Sequence, residues 1–185
     1  MGEWTKETAE WYAQKYGEYP TNLLGLRGLD FQPTDRVVDL GCGTACALRH
    51  IAGANEDTVL IGVDPVPRMV ELAQEAVTQA GLQERITLLL GGASQIPAET
   101  GSAQWLLAFD SYHHWPEVEK GLAEVRRVLS SGGRFVITKD GGLGSKAKAK
   151  ELEERLVQAG FQVLSSEKMD GHGVSLQRWI CGATD

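Results

Sequence analysis

Val37-Val-Asp-Leu-Gly-Cys-Gly-Thr-Ala45 decides the fold of this 185-residue chain. The apolar run from Arg36 to Leu40 is too short for a helix and reads as a buried strand. Gly41 and Gly43 then open backbone conformations closed to other residues and let a ligand approach the main chain. A helical pattern from Thr44 to Ala52 follows, and its unpaired N–H groups point back at the turn. Strand, glycine turn and helix in that order predict a ligand seated on the turn.

The residues flanking the turn narrow the ligand. A dinucleotide fingerprint places a third glycine where this chain has Cys46. Asp39 stands two residues before Gly41, and a carboxylate there repels a pyrophosphate and favours a ligand with a positive group. A second strand, Thr58 to Asp64, ends on another carboxylate, placed to accept hydrogen bonds from both hydroxyls of a ribose. Two carboxylates around a glycine turn suit a nucleoside with a cationic amino-acid tail, of which S-adenosylmethionine is one.

Working outward, residues 4–19 have a helical tendency, with Trp4, Trp11, Tyr12, Tyr16 and Tyr19 at roughly helical spacing until Pro20. A short apolar helix is predicted from Asn22 to Leu29. Beyond the second strand the pattern predicts a helix from Pro67 to Ala80 stopped by Gly81, and strands at 86–90 and 104–109. A helix from Pro116 to Leu129, a strand at 134–138 and a helix at 145–159 follow. The last strands, 161–167 and 174–181, leave no room for a helix between them and should be antiparallel neighbours. This alternation is that of an α/β, Rossmann-like, doubly wound sheet. Ligands of such sheets bind at the carboxyl ends of the strands, here the loops 39–45, 62–67, 91–97, 109–116 and 139–145.

Composition removes several classes. Hydrophobic residues at 42% exclude a disordered chain, and no run approaches the roughly 18 apolar residues of a membrane span. A net charge of −7 disfavours nucleic acid as a primary partner. The N-terminal residues carry acidic groups and no apolar core, which predicts no leader and a cytoplasmic setting. The three cysteines, Cys42, Cys46 and Cys181, are odd in number and lack the paired spacing of a zinc site. They read as reduced thiols, and no metal is expected.

The sequence resembles the class I S-adenosylmethionine-dependent methyltransferases, in particular the ubiquinone/menaquinone-biosynthesis-like family (methyltransferase domain type 11). The likeness runs from residue 36 to about 138. It rests on Val-Val-Asp-Leu-Gly-Cys-Gly-Thr (37–44), Ile-Gly-Val-Asp-Pro (61–65), Tyr-His-His-Trp (112–115) and Glu-Val-Arg-Arg-Val-Leu-Ser-Ser-Gly-Gly-Arg (124–134). It implies a seven-stranded sheet of order 3-2-1-4-5-7-6 with the last strand antiparallel. It also implies that Asp39, Gly41, Cys42 and Gly43 hold the methionyl end of the cofactor, that Asp64 takes the ribose, and that Pro65 and Val66 flank the adenine. The family's adenine-binding Asp after the third strand is Gly92 here, which leaves the Ala93 N–H as donor. Ala45 stands where many relatives have glycine, and Gln104 where the family usually has Asp. Phe109 and Tyr16 complete the expected cofactor set.

Methyl transfer from a sulfonium is an in-line displacement that needs a positioned nucleophile and, for a protonated one, a base. Asp110, His113 and His114 are the candidates, in the loop after the fourth strand. The competing structural reading gives the His-His-Trp stretch a packing role. Tyr16 and Tyr19 are the first candidates for a lid over the sulfonium, with simple packing as the alternative. Asp140-Gly-Gly-Leu-Gly-Ser-Lys146 lacks the spacing of a phosphate loop and reads as a flexible connection.

The expectation is one methyltransferase domain over residues 1–185, with 1–30 as a helical lid and 36–185 as the cofactor-binding core. Its acceptor is expected to be a small molecule. The interval from Lys139 to Ser145 is too short for an inserted cap, so the acceptor pocket falls to the N-terminal helices, the 109–116 loop and a partner subunit if the chain is a homodimer. Three other readings stand beside this one: a non-catalytic cofactor-binding module, a macromolecular acceptor, and a nicotinamide-dependent oxidoreductase. The last is opposed by Asp39 and the missing glycine.

Overall fold

The structure, a computed structural model, describes residues 4–184. Two helices come first, α1 (Lys6–Tyr16) and α2 (Thr21–Leu26). Thr5 caps α1 by accepting the Thr8 N–H. The alternating part follows as β1 (Arg36–Leu40), α3 (Cys46–Ala54), β2 (Val59–Asp64), α4 (Pro67–Gln79), β3 (Ile86–Leu90) and β4 (Ala103–Phe109). A single 3-10 turn at Tyr112–His114 leads into α5 (Val118–Val128), β5 (Leu129–Asp140), α6 (Lys146–Gln158), β6 (Phe161–Gly171) and β7 (Val174–Ala183).

All seven strands share one sheet of order β3-β2-β1-β4-β5-β7-β6, the order the resemblance implies. The first five pair in parallel, and β7 runs antiparallel to both β5 and β6. Period-two alternation sorts each central strand between two cores. Val38, Leu40, Leu106, Ala108, Phe135 and Ile137 face α5 and α6. Val37, Leu107, Phe109 and Val136 face α3 and α4 on the other side. Both layers are apolar because a parallel sheet is covered on both faces.

Several element boundaries depart from the sequence reading, among them α2, which ends at Leu26 and not Leu29, and β5, which begins at Leu129 and not Arg134. Helix α3 begins at Cys46 and not at Thr44, because Ala45 takes a left-handed conformation (φ 58°) and breaks the helical run before it. The last two strands are longer than expected and meet in a tight hairpin. His172 (φ 53°) and Gly173 (φ 76°) supply the two left-handed residues that such a two-residue turn requires.

The N-terminal helices lie across the carboxyl end of the sheet. The Thr44 hydroxyl donates to the Gly17 carbonyl at 2.7 Å, and Arg49 pairs with Glu18. Arg68 of α4 pairs with Glu10 of α1 at 3.0 Å. Arg178 of β7, 5% exposed, donates to the carbonyls of Gly25 and Arg27 at 2.9 and 2.7 Å. These bonds hold α1 and α2 as a roof above the glycine turn.

Candidate active site

The loops after β1, β2, β3, β4 and β5 converge beneath this roof. They enclose two clefts of about 270 and 380 Å³. Tyr12, Gly41, Gly43, Phe109, Asp110 and His114 line both, so the clefts form one continuous trough.

The glycine turn forms the floor. Gly41 (φ 72°) and Gly43 (φ 55°) are both left-handed. Gly41 packs against Ser111, whose hydroxyl donates to the Leu40 carbonyl at 2.5 Å. Gly43 has open space above its Cα, so a side chain there would enter the trough. Cys42 turns inward against Gly62, and burial raises its thiol well above the ordinary range.

Two carboxylates lie next to this turn. Asp64, on the first cleft, accepts from the Gly43 N–H at 3.1 Å and the Val66 N–H at 3.0 Å. Burial lifts its carboxyl to about 6 against the opposing pull of those two donors. Asp39 sits behind the wall, 3% exposed, and its Oδ1 is buried without a hydrogen-bond partner. Burial first, and then the neighbouring Asp64 charge, push Asp39 to about 7. A buried carboxylate with an unused oxygen is costly unless a cation or donor meets it.

Pro65, Val66, Gly92 and Ala93 line the far end of the first cleft, together with Ser94 and Gln95. Apart from Pro65 Cβ at 3.8 Å, nothing approaches the space where a side chain on Gly92 would begin.

The three proton-transfer candidates occupy the opposite wall. Asp110 adopts a left-handed conformation (φ 51°), and its Oδ1 accepts the Asp140 N–H at 2.6 Å with Lys139 Nζ at 3.7 Å. Burial raises its carboxyl despite those partners. The His113 and His114 rings pack together at 4.0 Å between centroids. Burial, followed by the charges of His114 and Lys139, lowers His113 to about 4. Burial also lowers His114. The His113 imidazole is therefore neutral at pH 7, and the same burial weakens it as a base. Trp115 packs over Gly121 and stacks near Phe135 while lining the first cleft.

The aromatic residues in and around α1 form a continuous row, edge-to-face at its two ends and tilted at the Tyr12–Tyr16 pair. Trp4 meets Tyr12 at 5.3 Å, Tyr12 meets Tyr16 at 4.8 Å, and Tyr16 meets Tyr19 at 5.4 Å. Tyr16 and Tyr19 line the second cleft, whereas Trp4 and Tyr12 reach the first. The sequence reading offers all the N-terminal aromatics as a lid and ranks Tyr16 and Tyr19 first, whereas Trp4 and Tyr12 are the ones on the first cleft. The spacing 4, 12, 16 was the available signal. Lys139, at the start of the 139–145 loop, also lines the trough, together with Asn22 and Met69, which lie outside the loops expected to bind ligand.

Residues 38–137 match the family model for a methyltransferase domain. The chain belongs to the methyltransferase domain family. Over 176 residues this family member is 26% identical to the 27-O-demethylrifamycin SV methyltransferase of Amycolatopsis mediterranei, covering 95% of this chain and 63% of that protein. It is 29% identical over 136 residues to the demethylmenaquinone methyltransferase of Symbiobacterium thermophilum, covering 73% and 49%. The chain spans about half the length of the curated relatives it matches. In three dimensions it resembles a SAM-dependent methyltransferase from Aquifex aeolicus, with a TM-score of 0.80 at 17% identity over 97% of this chain and 99% of the other. Among the described residues, no helix of this family member is long and apolar enough to cross a membrane.

Proposed function

We propose that the protein is an S-adenosylmethionine-dependent methyltransferase acting on a small molecule. The observation that carries this reading is the pair of buried carboxylates at the glycine turn. Asp39 has an orphaned oxygen and Asp64 has two lone pairs left after its backbone bonds. A ligand with an ammonium at one end and a ribose at the other answers both needs, whereas a pyrophosphate would meet two negative charges.

The residues present fit that cofactor. Asp39 with the Gly41-Cys42-Gly43 turn would hold the amino-acid end, and the open space over Gly43 admits it. Asp64 would accept from the ribose hydroxyls. Pro65 and Val66 would flank the base, and the Ala93 N–H would donate to a ring nitrogen. Phe109 and Tyr16 would close the walls. When bound, the cofactor supplies an electrophilic methyl group. The chain's own contribution is to place the acceptor in line within the second cleft and to exclude water with the α1 roof. Asp110, oriented by the Asp140 N–H, and the His113 and His114 rings beside it on the second cleft are the proposed groups that take a proton from the acceptor.

On this reading residues 4–30 are a helical lid on a core of residues 36–184, in a cytoplasmic enzyme, with residues 1–3 and 185 of the expected spans lying outside the described residues. The acceptor is assigned to the small-molecule class because the trough is narrow and roofed and the chain is acidic. Gly92 supports a second reading, a cofactor-binding module without turnover, since the side chain that would grip the adenine is absent. Calorimetric titration with S-adenosylhomocysteine tests the first claim, and the absence of binding would overturn it. Binding without methyl transfer to any of a broad panel of small acceptors would favour the module.

A further inference from the structure

Cys46 and His50 lie one turn apart on α3, and the fold brings Glu18 against them from the segment between α1 and α2. The Cys46 Sγ, a His50 ring nitrogen and a Glu18 carboxylate oxygen all lie within 4.8 Å of one another. The thiol is 3.6 Å from Glu18 Oε2. The other carboxylate oxygen, Oε1, is held by the Arg49 guanidinium, which fixes Oε2 toward the sulfur. Cys46 is buried, while Glu18 and His50 are exposed, so the cluster has a closed base and an open mouth.

We propose that Cys46, His50 and Glu18 form a binding site for a divalent cation of the zinc class. A thiolate, an imidazole and a carboxylate are the ligand types of such an ion, and three of them leave the fourth tetrahedral position to water. Magnesium and calcium prefer all-oxygen sites and would not select a thiol. Ligand atoms around zinc stand roughly 3.3–3.7 Å apart, given bond lengths of about 2.0–2.3 Å. The Cys46–Glu18 separation already meets that spacing, and rotation of the exposed His50 side chain closes the rest. On coordination the Cys46 thiol gives its proton to solvent. Thiolate, carboxylate and dication then sum to zero, so Arg49 faces a neutral centre and keeps its bond to Oε1. Such an outer partner orients the ligand it touches.

The location gives the site a consequence. Glu18 follows Gly17, whose carbonyl accepts from Thr44, and Cys46 lines the second cleft. A bound ion would staple the end of α1 to the helix that leaves the glycine turn. Metal occupancy would therefore stabilise the roof over the trough, whatever reaction runs beneath it. Glu18 precedes Cys46 by 28 residues, a separation that hides the cluster from any spacing rule.

Cobalt(II) titration of the full chain, with a non-thiol reductant, tests the assignment. One equivalent should bind, giving a thiolate-to-metal charge-transfer band and tetrahedral visible bands that zinc displaces. Glu18→Gln and His50→Gln alter exposed side chains and should fold normally by circular dichroism. Each should weaken binding about tenfold or more, and Cys46→Ser should abolish the charge-transfer band. Zinc should raise the Tm of the wild type and raise that of His50→Gln by less at the same concentration. No charge-transfer band in the wild type, or an undiminished band in both His50→Gln and Glu18→Gln, would overturn the site.

Discussion

Gly41 and Ser111 meet so closely that a methyl group on Gly41 would lie 2.5 Å from the Ser111 Cβ. The contact joins the ends of β1 and β4 at the floor of the trough. Gly43, two residues on, has nothing within 4 Å of the same position. The two glycines of one turn thus have different reasons to be glycine.

Substituting each with alanine should separate those reasons. Gly41→Ala combines a left-handed backbone with a collision and should cost about 3 kcal/mol or more. Gly43→Ala should cost only the backbone strain, about 1–2 kcal/mol, yet impair ligand binding because its methyl enters the trough. Urea denaturation and S-adenosylhomocysteine titration on both variants check the pair. Equal losses of stability would contradict the packing difference.

Asp39 and Asp64 make stability and binding depend oppositely on pH. Burial raises their carboxyls from the ordinary 3.8 to about 7 and about 6. The folded chain therefore holds protons that the unfolded chain releases. Their contribution to stability is full below pH 3.8 and is lost as pH rises through 6 to 7. A ligand bearing an ammonium needs the ionised form, so its affinity should rise over the same interval. Asp39→Asn should flatten both profiles, stabilise the unliganded protein at pH 8 and weaken S-adenosylhomocysteine about tenfold or more. Chemical denaturation and calorimetry at several pH values measure the two effects.

Gly92 leaves room for the missing side chain. Its surroundings are open apart from Pro65 Cβ at 3.8 Å, and its φ is not left-handed. Gly92→Asp should leave the Tm nearly unchanged and tighten S-adenosylhomocysteine binding about threefold to tenfold, the worth of one added hydrogen bond. Unaltered affinity in a folded variant would mean that the adenine lies elsewhere.

Thr44→Val keeps the shape of the side chain and deletes its bond to the Gly17 carbonyl. The expected loss is about 1 kcal/mol. Hydrogen exchange should quicken in α1 and α2 and stay unchanged in β1, β4 and β5. Uniform quickening across the sheet would show that the bond does not specifically hold the roof.

Much of this is legible in the sequence. Val37-Val38 and Leu106-Leu107 announce strands because both faces of a parallel sheet are buried, leaving short unbroken apolar runs. Pro67 and Gly81 mark the limits of a helix through their own backbone restrictions. The sheet order came from resemblance and not from periodicity, since alternation says that strands exist but not which ones pair. Within the site, Asp39, Gly41 and Asp64 stand at strand ends that local pattern can locate. Trp4 and Tyr12 rank below Tyr16 and Tyr19 as lid residues because helical spacing gives the face of a helix but not the object that face meets.

The sequence by itself determined the alternation of elements, the glycine turn and the two carboxylates beside it, because each rests on local backbone preference or on spacing within one motif. Only the tertiary structure decided that Asp39 keeps an oxygen unpaired behind that turn, that Trp4 and Tyr12 roof the first cleft, and that Glu18 stands against Cys46 and His50. Burial and proximity between distant segments are properties of the packed chain, set by how α1 docks across the sheet, and no single segment encodes them.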